Sequence, residues 1–278
     1  MTISRHMSIW AAAISVALCF AISTPQTCAQ DLRLKTVVID PGHGGKDPGC
    51  VSRDKKTYEK NLVLEISKLF GEKIKKAYGD SVAVYYTRST DVFVPLAQRA
   101  DFANRKNADL FISIHINAVK NNNSASGHSA HVLGASSDPN RDLMANQLDI
   151  VKRENSVILL EEDYQTKYQG FDPNDESSAI FMTLMQSAFY EQSIFFAYLC
   201  EEELGKGPLK VKKGVHQDPF YVLWRTSMPA VLMELGFISN DSDLAVLRSE
   251  SGREKIAEGL FRAFKTYKKN YDESLKIE

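Results

Sequence analysis

Two histidines and a glutamate occupy positions from which they could hold a metal ion together. His43 lies in a loop among glycines, Glu59 opens an apolar helical pattern, and His115 lies near the end of the apolar segment 110–116. Two imidazoles and one carboxylate are a known catalytic zinc set, with a fourth position left for water. Zinc lowers the pKa of that water toward ~7 and polarises a carbonyl, which amide hydrolysis needs. We therefore predict one Zn²⁺ ion, bound by His43, Glu59 and His115.

Glu234 is a candidate general base for the same chemistry. It lies near the end of the apolar segment 230–235, AVLMEL, and Gly236 follows directly after this segment. A carboxylate there can accept a proton from water and return it to a leaving amine. Taken alone, a glutamate of this kind more often caps an element or forms a salt bridge. An idle charge at the end of a buried strand is unfavourable, however, which favours the catalytic interpretation.

The segments around these residues alternate between strand and helix patterns. This alternation predicts an α/β fold with a mainly parallel sheet covered by helices on both faces. The loops beyond the carboxyl ends of such strands share one edge, so His43 and His115 can converge there. After the first strand, which begins at Val37 and breaks at Pro41, the patterns predict strands at 82–87, 110–116, 130–133, 220–224 and 230–235, and helices at 58–77, 95–107, 141–152, 179–204, 242–247 and 254–267.

The first 30 residues have the pattern of a secretory signal peptide. Arg5 and His6 precede the apolar stretch 9–22, and Ala29 follows Thr27 in a small-residue exit. The alternative is an uncleaved membrane anchor, for which the apolar stretch is short of the ~20 residues that span a bilayer. We predict a signal peptide over 1–30 and one catalytic domain over 31–278. A net charge of -1, from 34 basic and 35 acidic residues, argues against a nucleic-acid partner.

The remaining cysteines and histidines receive structural interpretations. Cys50 and Cys200 are too few for a disulfide scaffold, and their spacing leaves open whether they pair. His128 and His131 flank a predicted strand and imitate a ligand pair, but we predict no metal role for them. His216 is interpreted as a surface residue, with a place in the substrate groove as the alternative.

Four motifs carry a resemblance to a known family. IDPGHGGKDPG, YEKNL, SIHIN and PAVLMELGFISN occur in the same order as in the zinc-dependent N-acetylmuramoyl-L-alanine amidases of the amidase-3 type, and the likeness runs from Lys35 to Tyr267. The resemblance implies that His43, Glu59 and His115 bind zinc and that Glu234 is the catalytic carboxylate. It also implies a twisted, mixed sheet of about six strands flanked by helices.

The resemblance further implies a function and a location. The family hydrolyses the amide between the lactyl group of N-acetylmuramic acid and the L-alanine of the peptidoglycan stem peptide. We expect such a peptidoglycan hydrolase to act as a monomer in the periplasm, in cell-wall remodelling and daughter-cell separation. Asn117 occupies the family's His-x-Asn position, where it would orient the site or the substrate. A strand-end cap is the alternative interpretation of Asn117.

Residues 149–179 are a candidate regulatory insert. The segment is polar and acidic, and a stretch this long within a compact domain is usually functional or disordered. The envelope amidases that separate daughter cells carry here a helix that lies over the zinc cleft and is displaced by an activator protein, and Arg153-Glu154-Asn155 resembles its start. We expect the insert to inhibit the site, with Glu154, Glu161 or Glu162 reaching the open zinc position. The alternative is a solvated loop.

Two other functions remain open at this level. A zinc peptidase would use the same residues to cut within the stem peptide, and its products would differ from those of an amidase. A catalytically silent binding protein could keep the fold, although such proteins usually lose a ligand or the catalytic glutamate. All four residues are present here.

Overall fold

A six-stranded mixed sheet forms the centre of the protein, for which a computed structural model describes residues 33–120, 124–134, 144–162, 164–168 and 189–274. The strand order is β2-β1-β3-β6-β4-β5, and all neighbouring pairs are parallel except β4 with β6. The predicted fold class is therefore confirmed, whereas the proposed signal peptide lies outside the described residues. The strands are β1 Thr36–Pro41, β2 Ala83–Tyr86, β3 Leu110–Asn117, β4 His128–Val132, β5 Lys212–Gln217 and β6 Ala230–Phe237.

Helices cover both faces of this sheet. Within the described ranges none of them combines the length and the apolar character needed to cross a bilayer. Short 3₁₀ turns occur at Gly79–Ser81 and Ser156–Leu160. The α-helices are α1 Glu59–Tyr78, α2 Leu96–Arg105, α3 Met144–Asn155, α4 Tyr164–Lys167, α5 Tyr190–Gly205, α6 Tyr221–Trp224, α7 Asp241–Arg248 and α8 Glu250–Ser274.

The predicted strand at 220–224 is wrong. Its apolar residues form the short helix α6, because a brief apolar run fits a buried helical turn as well as a strand. The sheet instead gains β5, KKGVHQ, which the sequence patterns missed. This strand lies at the edge of the sheet and is polar and partly exposed, so it lacks the apolar signal of a central strand. The helix predicted at 141–152 is observed as α3, and the described part of the one predicted at 179–204 begins at Tyr190.

The two faces of the sheet differ in chemistry. One face packs against α1, α5 and α8 through a large apolar cluster that includes Ile112, Ile114 and Met233. Side chains alternate along a strand, so their sequence neighbours point to the opposite face. There the strands present polar residues, among them His115 and Glu234, beneath α2, α3 and α6. The alternation of the central strands thus separates the apolar core on one face from the polar site residues on the other, which also carries apolar residues such as Leu232.

On the apolar side of the sheet, the buried carboxyl group of Glu201 is expected to make the stability of the protein depend on pH. Glu201 in α5 accepts a hydrogen bond from Gly214 N (2.9 Å), and its Oε1 lies 3.5 Å from His128 Nε2. Burial raises the pKa of Glu201 to about 7, against the smaller lowering effects of the Gly214 N–H and Lys212. The pKa of Glu201 is thus higher in the folded protein than in the unfolded chain. The stability that its protonated carboxyl group contributes is therefore present below about pH 4.5 and is lost as the pH rises through about 7.

We therefore expect Glu201→Gln to gain stability relative to the wild type between pH 5 and pH 8, by up to about 3 kcal/mol. Urea unfolding of both proteins at the two pH values measures this difference. Burial also lowers the pKa of His128, but that group is present in both proteins, so the comparison isolates Glu201. A difference in unfolding free energy that stays constant from pH 5 to pH 8 would contradict the assignment.

Candidate active site

The loop after β1 holds His43 in a fixed and unusual conformation. Gly42 N donates to the carbonyl of Ile114 (3.0 Å), which ties the loop to β3. His43 itself has a φ of 60°, in the left-handed region that a non-glycine residue rarely occupies. Two glycines leave the space that this arrangement needs. A Cβ at Gly42 would lie 2.4 Å from the ring of His115, and a Cβ at Gly49 would lie 2.6 Å from the ring of His43.

Two buried arginines fix the backbone of this loop. Arg99 donates to the carbonyl of His43 (2.8 Å) and pairs with Asp40 (2.8 Å). Arg88 donates to the carbonyl of Gly42 (2.7 Å). Carbonyl groups that point into a buried region need donors, and the guanidinium groups supply several at once. The strained conformation at His43 is thus supported by its surroundings, as is common at functional sites.

Four atoms that could bind a metal ion converge beside this loop from four separate parts of the chain. We call them the donor cluster: His43 Nε2, Glu59 Oε1, His115 Nδ1 and Glu154 Oε2. His43 Nε2 lies 3.2 Å from His115 Nδ1, and Glu59 Oε1 lies 3.1 and 3.3 Å from these two nitrogens. Glu154 Oε2 lies 3.2 Å from His43 Nε2 and 3.0 Å from His115 Nδ1. The structure therefore brings together the three residues predicted as ligands and adds Glu154 from the insert.

The spacing of these atoms around the two histidines resembles that of metal ligands. With metal–ligand bonds of about 2.0–2.1 Å, the ligand atoms of a tetrahedron lie about 3.3 Å apart. The five distances above, 3.0 to 3.3 Å, agree with that spacing. Glu154 Oε2 is buried, and apart from the ring nitrogens of these two histidines it has no polar partner among the described residues, which fits an oxygen placed to bind a cation. Among the described residues, the group whose ligand atoms all lie within 4.8 Å of one another consists of His43, His115 and Glu154 and does not include Glu59.

The charges of the buried glutamates in this site also favour the binding of a cation. Burial lowers the pKa of His43, but Glu59 and Glu154 outweigh it and hold the pKa well above its usual value. Burial opposes ionisation of His115 too, yet mainly Glu154 raises its pKa to about 9. The pKa values of both glutamates are lowered despite burial, by the nearby histidines. Two buried carboxylates thus make the centre strongly attractive to positive charge, whether protons or a metal ion.

Glu234 lies next to this centre on β6. It is paired with His115 in the parallel β3–β6 ladder and is 1% exposed. Burial raises the pKa of Glu234 to about 8, and the lowering effect of Arg153 is smaller. Both of its carboxylate oxygens are without a hydrogen-bond partner within the described part of the chain. A buried carboxyl group with a pKa near neutrality can both take up and release a proton.

The insert places Arg153 and Glu154 directly over these groups. Glu154 joins the donor cluster, and Arg153 Nη2 lies 3.7 Å from Glu234 Oε1. Arg153 also lies 3.4 Å from Asn117 Oδ1, an oxygen that caps Ala118 N at 2.7 Å. The strand-end cap proposed for Asn117 is therefore present, together with a position at the edge of the site.

The other two acidic candidates of the insert lie elsewhere. The carboxylate of Glu161 accepts a hydrogen bond from the Tyr168 hydroxyl and lies 3.8 Å from Lys167. Glu162 is exposed. Neither residue is part of the donor cluster, so of the three predicted alternatives Glu154 is the one that lies beside His43 and His115. The sequence alone could not select among the three, because all are acidic residues of one polar segment.

The described part of the insert is packed against the protein. Val157, Ile158 and Tyr168 belong to a buried apolar cluster with Leu96 and Tyr221. The side chain of Asn155 in turn donates to Pro219 O (3.0 Å) and accepts from Tyr221 N (2.8 Å). A solvated loop would make none of these contacts, so that alternative does not apply to residues 150–162 and 164–168.

Asp47 was not singled out by the sequence, although it lies within the IDPGHGGKDPG motif. Its Oδ2 lies 2.8 Å from His43 Nδ1, the ring nitrogen that faces away from the donor cluster. A carboxylate in this place fixes the imidazole orientation, and loss of such partners typically weakens metal binding 10- to 100-fold. We expect Asp47→Asn to weaken metal affinity by about that factor. Competition with a chelating dye measures the effect, with the exposed Asp54→Asn as control, and equal affinities for the two variants would contradict it.

Comparisons with known proteins identify the family of the chain. Residues 37–266 match the Amidase_3 family model, described as N-acetylmuramoyl-L-alanine amidase. The chain is 31% identical to the amidase AmiC of Escherichia coli O6:H1 over 236 residues, 83% of this chain but only 52% of AmiC. It is 32% identical to AmiA of Escherichia coli K12 over 241 residues, covering 84% of this chain and 76% of AmiA.

A solved structure agrees as well. The N-acetylmuramoyl-L-alanine amidase of Clostridium difficile 630 superimposes with a TM-score of 0.61 at 26% identity, over 84% of this chain and 97% of that one. The family match spans every strand of the sheet except the first residue of β1, together with all four residues that the sequence singled out. Since the fold, the donor cluster and the sequence match all agree, the chain belongs to the Amidase_3 family of N-acetylmuramoyl-L-alanine amidases.

Proposed function

We propose that this protein is a zinc-dependent peptidoglycan hydrolase that cleaves the amide between N-acetylmuramic acid and L-alanine. The observation that carries the proposal is the convergence of His43, Glu59 and His115 beside the buried Glu234. Family membership supports the substrate class, and the donor set of two imidazoles and a carboxylate supports zinc. The apolar stretch near the N-terminus supports export, and with it an enzyme that works in the periplasm.

The metal ion and Glu234 have separate roles in the proposed reaction. Zinc held by this donor set would polarise the amide carbonyl and lower the pKa of the attacking water. Glu234 takes a proton from the water as the new C–O bond forms. It then delivers that proton to the leaving nitrogen as the C–N bond breaks, which frees the amine of L-alanine. A pKa near neutrality lets Glu234 be ionised for the first step and protonated for the second.

In the arrangement described, the insert inhibits the enzyme. Glu154 occupies a donor position that the reaction needs for water or substrate, and Arg153 lies against Glu234. A single short segment thus blocks both the metal centre and the general base. Activity then requires that α3 move away, and a protein activator that binds the insert would supply this displacement. Such a ligand-induced opening needs differential affinity for the open state.

Product analysis tests the proposed activity. Purified disaccharide-tetrapeptide is incubated with the zinc-loaded Glu154→Ala protein, and the new amines are labelled and identified by mass spectrometry. We expect a free stem peptide with L-alanine at its amino terminus and an intact disaccharide. A cut within the stem peptide would show a peptidase instead. An intact substrate with a folded, zinc-loaded protein would support the silent binding protein.

A further inference from the structure

Three buried side chains form a hydrogen-bonded chain in the sheet next to Glu234. Ser129 Oγ lies 2.9 Å from His131 Nε2, and His131 Nδ1 lies 2.7 Å from Asp218 Oδ2. Ser129 and His131 are on β4, and Asp218 follows the end of β5. All three are buried, and none of them belongs to the donor cluster. Since none of these three side chains would bind the metal ion, their hydrogen-bonded arrangement indicates a separate role.

The direction of these hydrogen bonds is set by the tautomer of His131, and a neutral imidazole beside an ionised Asp218 gives one direction. An ionised carboxylate can only accept, so the bond to Asp218 places a proton on His131 Nδ1. In the neutral imidazole, Nε2 then carries a lone pair and can only accept. With His131 neutral and in this tautomer, the hydroxyl of Ser129 donates its single proton to His131 Nε2. The oxygen of Ser129 is left with lone pairs alone for any other partner.

The register of the sheet places Ser129 beside Glu234. The two residues are directly opposite in the antiparallel β4–β6 ladder, while His115 is opposite Glu234 on the other side. Opposed residues in such a ladder share a face, with Cβ atoms about 4.5–5.5 Å apart. Glu234 has no hydrogen-bond partner among the described residues, and its charged neighbour Arg153 belongs to the insert. Once the insert moves away, Ser129 is the polar side chain of β4 next to this carboxyl group.

We propose that Ser129, aligned by His131 and Asp218, is a positioning residue for Glu234. The proposal rests on the function proposed above. When Glu234 carries the proton taken from water, its O–H donates to the lone pairs of Ser129, which holds the carboxyl group ready for transfer. The proton then moves from Glu234 to the leaving nitrogen as the C–N bond breaks. Ser129 keeps its own proton throughout, so the chain orients the acid without adding a second transfer step.

Asp218→Asn reverses the direction of the two hydrogen bonds that link Asp218, His131 and Ser129, with little change in side-chain shape. The asparagine amide can donate to His131 Nδ1, which moves the ring proton to Nε2 and turns the Ser129 hydroxyl toward Glu234. In the Glu154→Ala background we expect kcat to fall about 10- to 100-fold, as for loss of a hydrogen bond to an ionisable group. KM and zinc content stay near their starting values. Ser129→Ala is expected to lower kcat to a similar extent, and Ser129→Thr to restore most of it.

A double-mutant cycle separates positioning from a merely structural role. If Asp218 acts through Ser129, Asp218→Asn has no further effect on kcat once Ser129 is alanine. Ser67→Ala is the matched control, because the Ser67 hydroxyl is also buried but lies in α1 on the apolar side of the sheet, and kcat is expected to stay unchanged. Full effects of Asp218→Asn in both backgrounds would overturn the proposal.

Two further readouts distinguish this proposal from the function on which it rests. Nitrogen NMR of labelled histidines is expected to show His131 with its proton on Nδ1 in the parent and on Nε2 in Asp218→Asn, and an Nε2 proton in the parent would overturn the proposal. Covalent labelling of Ser129 by a fluorophosphonate would also overturn it, since that marks a nucleophile. An intact muropeptide with the Glu154→Ala protein would overturn the function and the proposal together.

Discussion

Replacing Glu234 by glutamine is expected to lower kcat for muropeptide cleavage by about 10²- to 10⁴-fold, the usual contribution of a positioned acid–base group. Glutamine keeps the shape of the side chain but cannot accept a proton from water. Zinc content and KM are expected to change little, because Glu234 is not among the clustered donor atoms. Initial rates of amine release by the Glu154→Ala protein, with and without the substitution, measure the effect.

The control for this substitution is Glu201→Gln. Glu201 is also a buried glutamate with a raised pKa, but it lies on the apolar side of the sheet against α5 and β5. The same chemical change there is expected to leave kcat unchanged. A Glu234→Gln protein that keeps kcat within about threefold of its parent would contradict the role assigned to Glu234, since even weak acid–base catalysts contribute about 10²-fold.

Replacing Glu154 by alanine is expected to raise the activity of the isolated protein at least about tenfold. The substitution removes a carboxylate that lies 3.0 to 3.2 Å from both histidines and so opens the fourth donor position. If the open state makes up only about 1% of molecules, removal of the contact can raise activity up to about 100-fold. The rate of stem-peptide release by the zinc-loaded protein, without any added partner, is the measurement.

Glu162→Ala is the matched control for this second prediction. Glu162 belongs to the same insert and has the same charge, but it is exposed and lies outside the donor cluster. Its substitution is expected to leave activity at the parent level. Equal activities of the Glu154→Ala and Glu162→Ala proteins, both folded and zinc-loaded, would show that the contact at the centre does not limit the enzyme.

Point substitutions test the insert better than its deletion does. Val151 belongs to one buried apolar cluster on the polar side of the sheet, and Val157 and Ile158 belong to another. Deletion of residues 149–179 would expose these clusters and would destabilise the domain through lost apolar burial. A loss of activity after deletion would then report on folding rather than on catalysis.

The residues of the centre could be predicted because each has a strong local signal. A glycine-rich loop marks His43, and continuous apolar runs lead to His115 and Glu234. Parallel strands bring such positions to one edge of a sheet, so convergence followed from the strand–helix alternation. The start of α1 at Glu59 agrees with the predicted helix start to within one residue.

Other features could not be predicted because they depend on contacts between distant segments. The choice of Glu154 over its acidic neighbours follows from how α3 packs, and the packing of Val157 and Ile158 fixes that position. The polar edge strand β5 has no apolar pattern, so Asp218 could not be placed beside His131. The link between the two depends on the pairing of β4 with β5, which short-range patterns do not reveal.

The most direct test of the account is a crystal structure of the zinc-loaded protein with anomalous diffraction data collected on both sides of the zinc absorption edge. We predict one zinc ion bound by His43, Glu59 and His115, with Glu154 as the fourth ligand and Arg153 facing Glu234. A zinc ion held by other residues would contradict the assignment of the centre. A zinc ion on the three predicted ligands with Glu154 turned away would contradict inhibition by the insert.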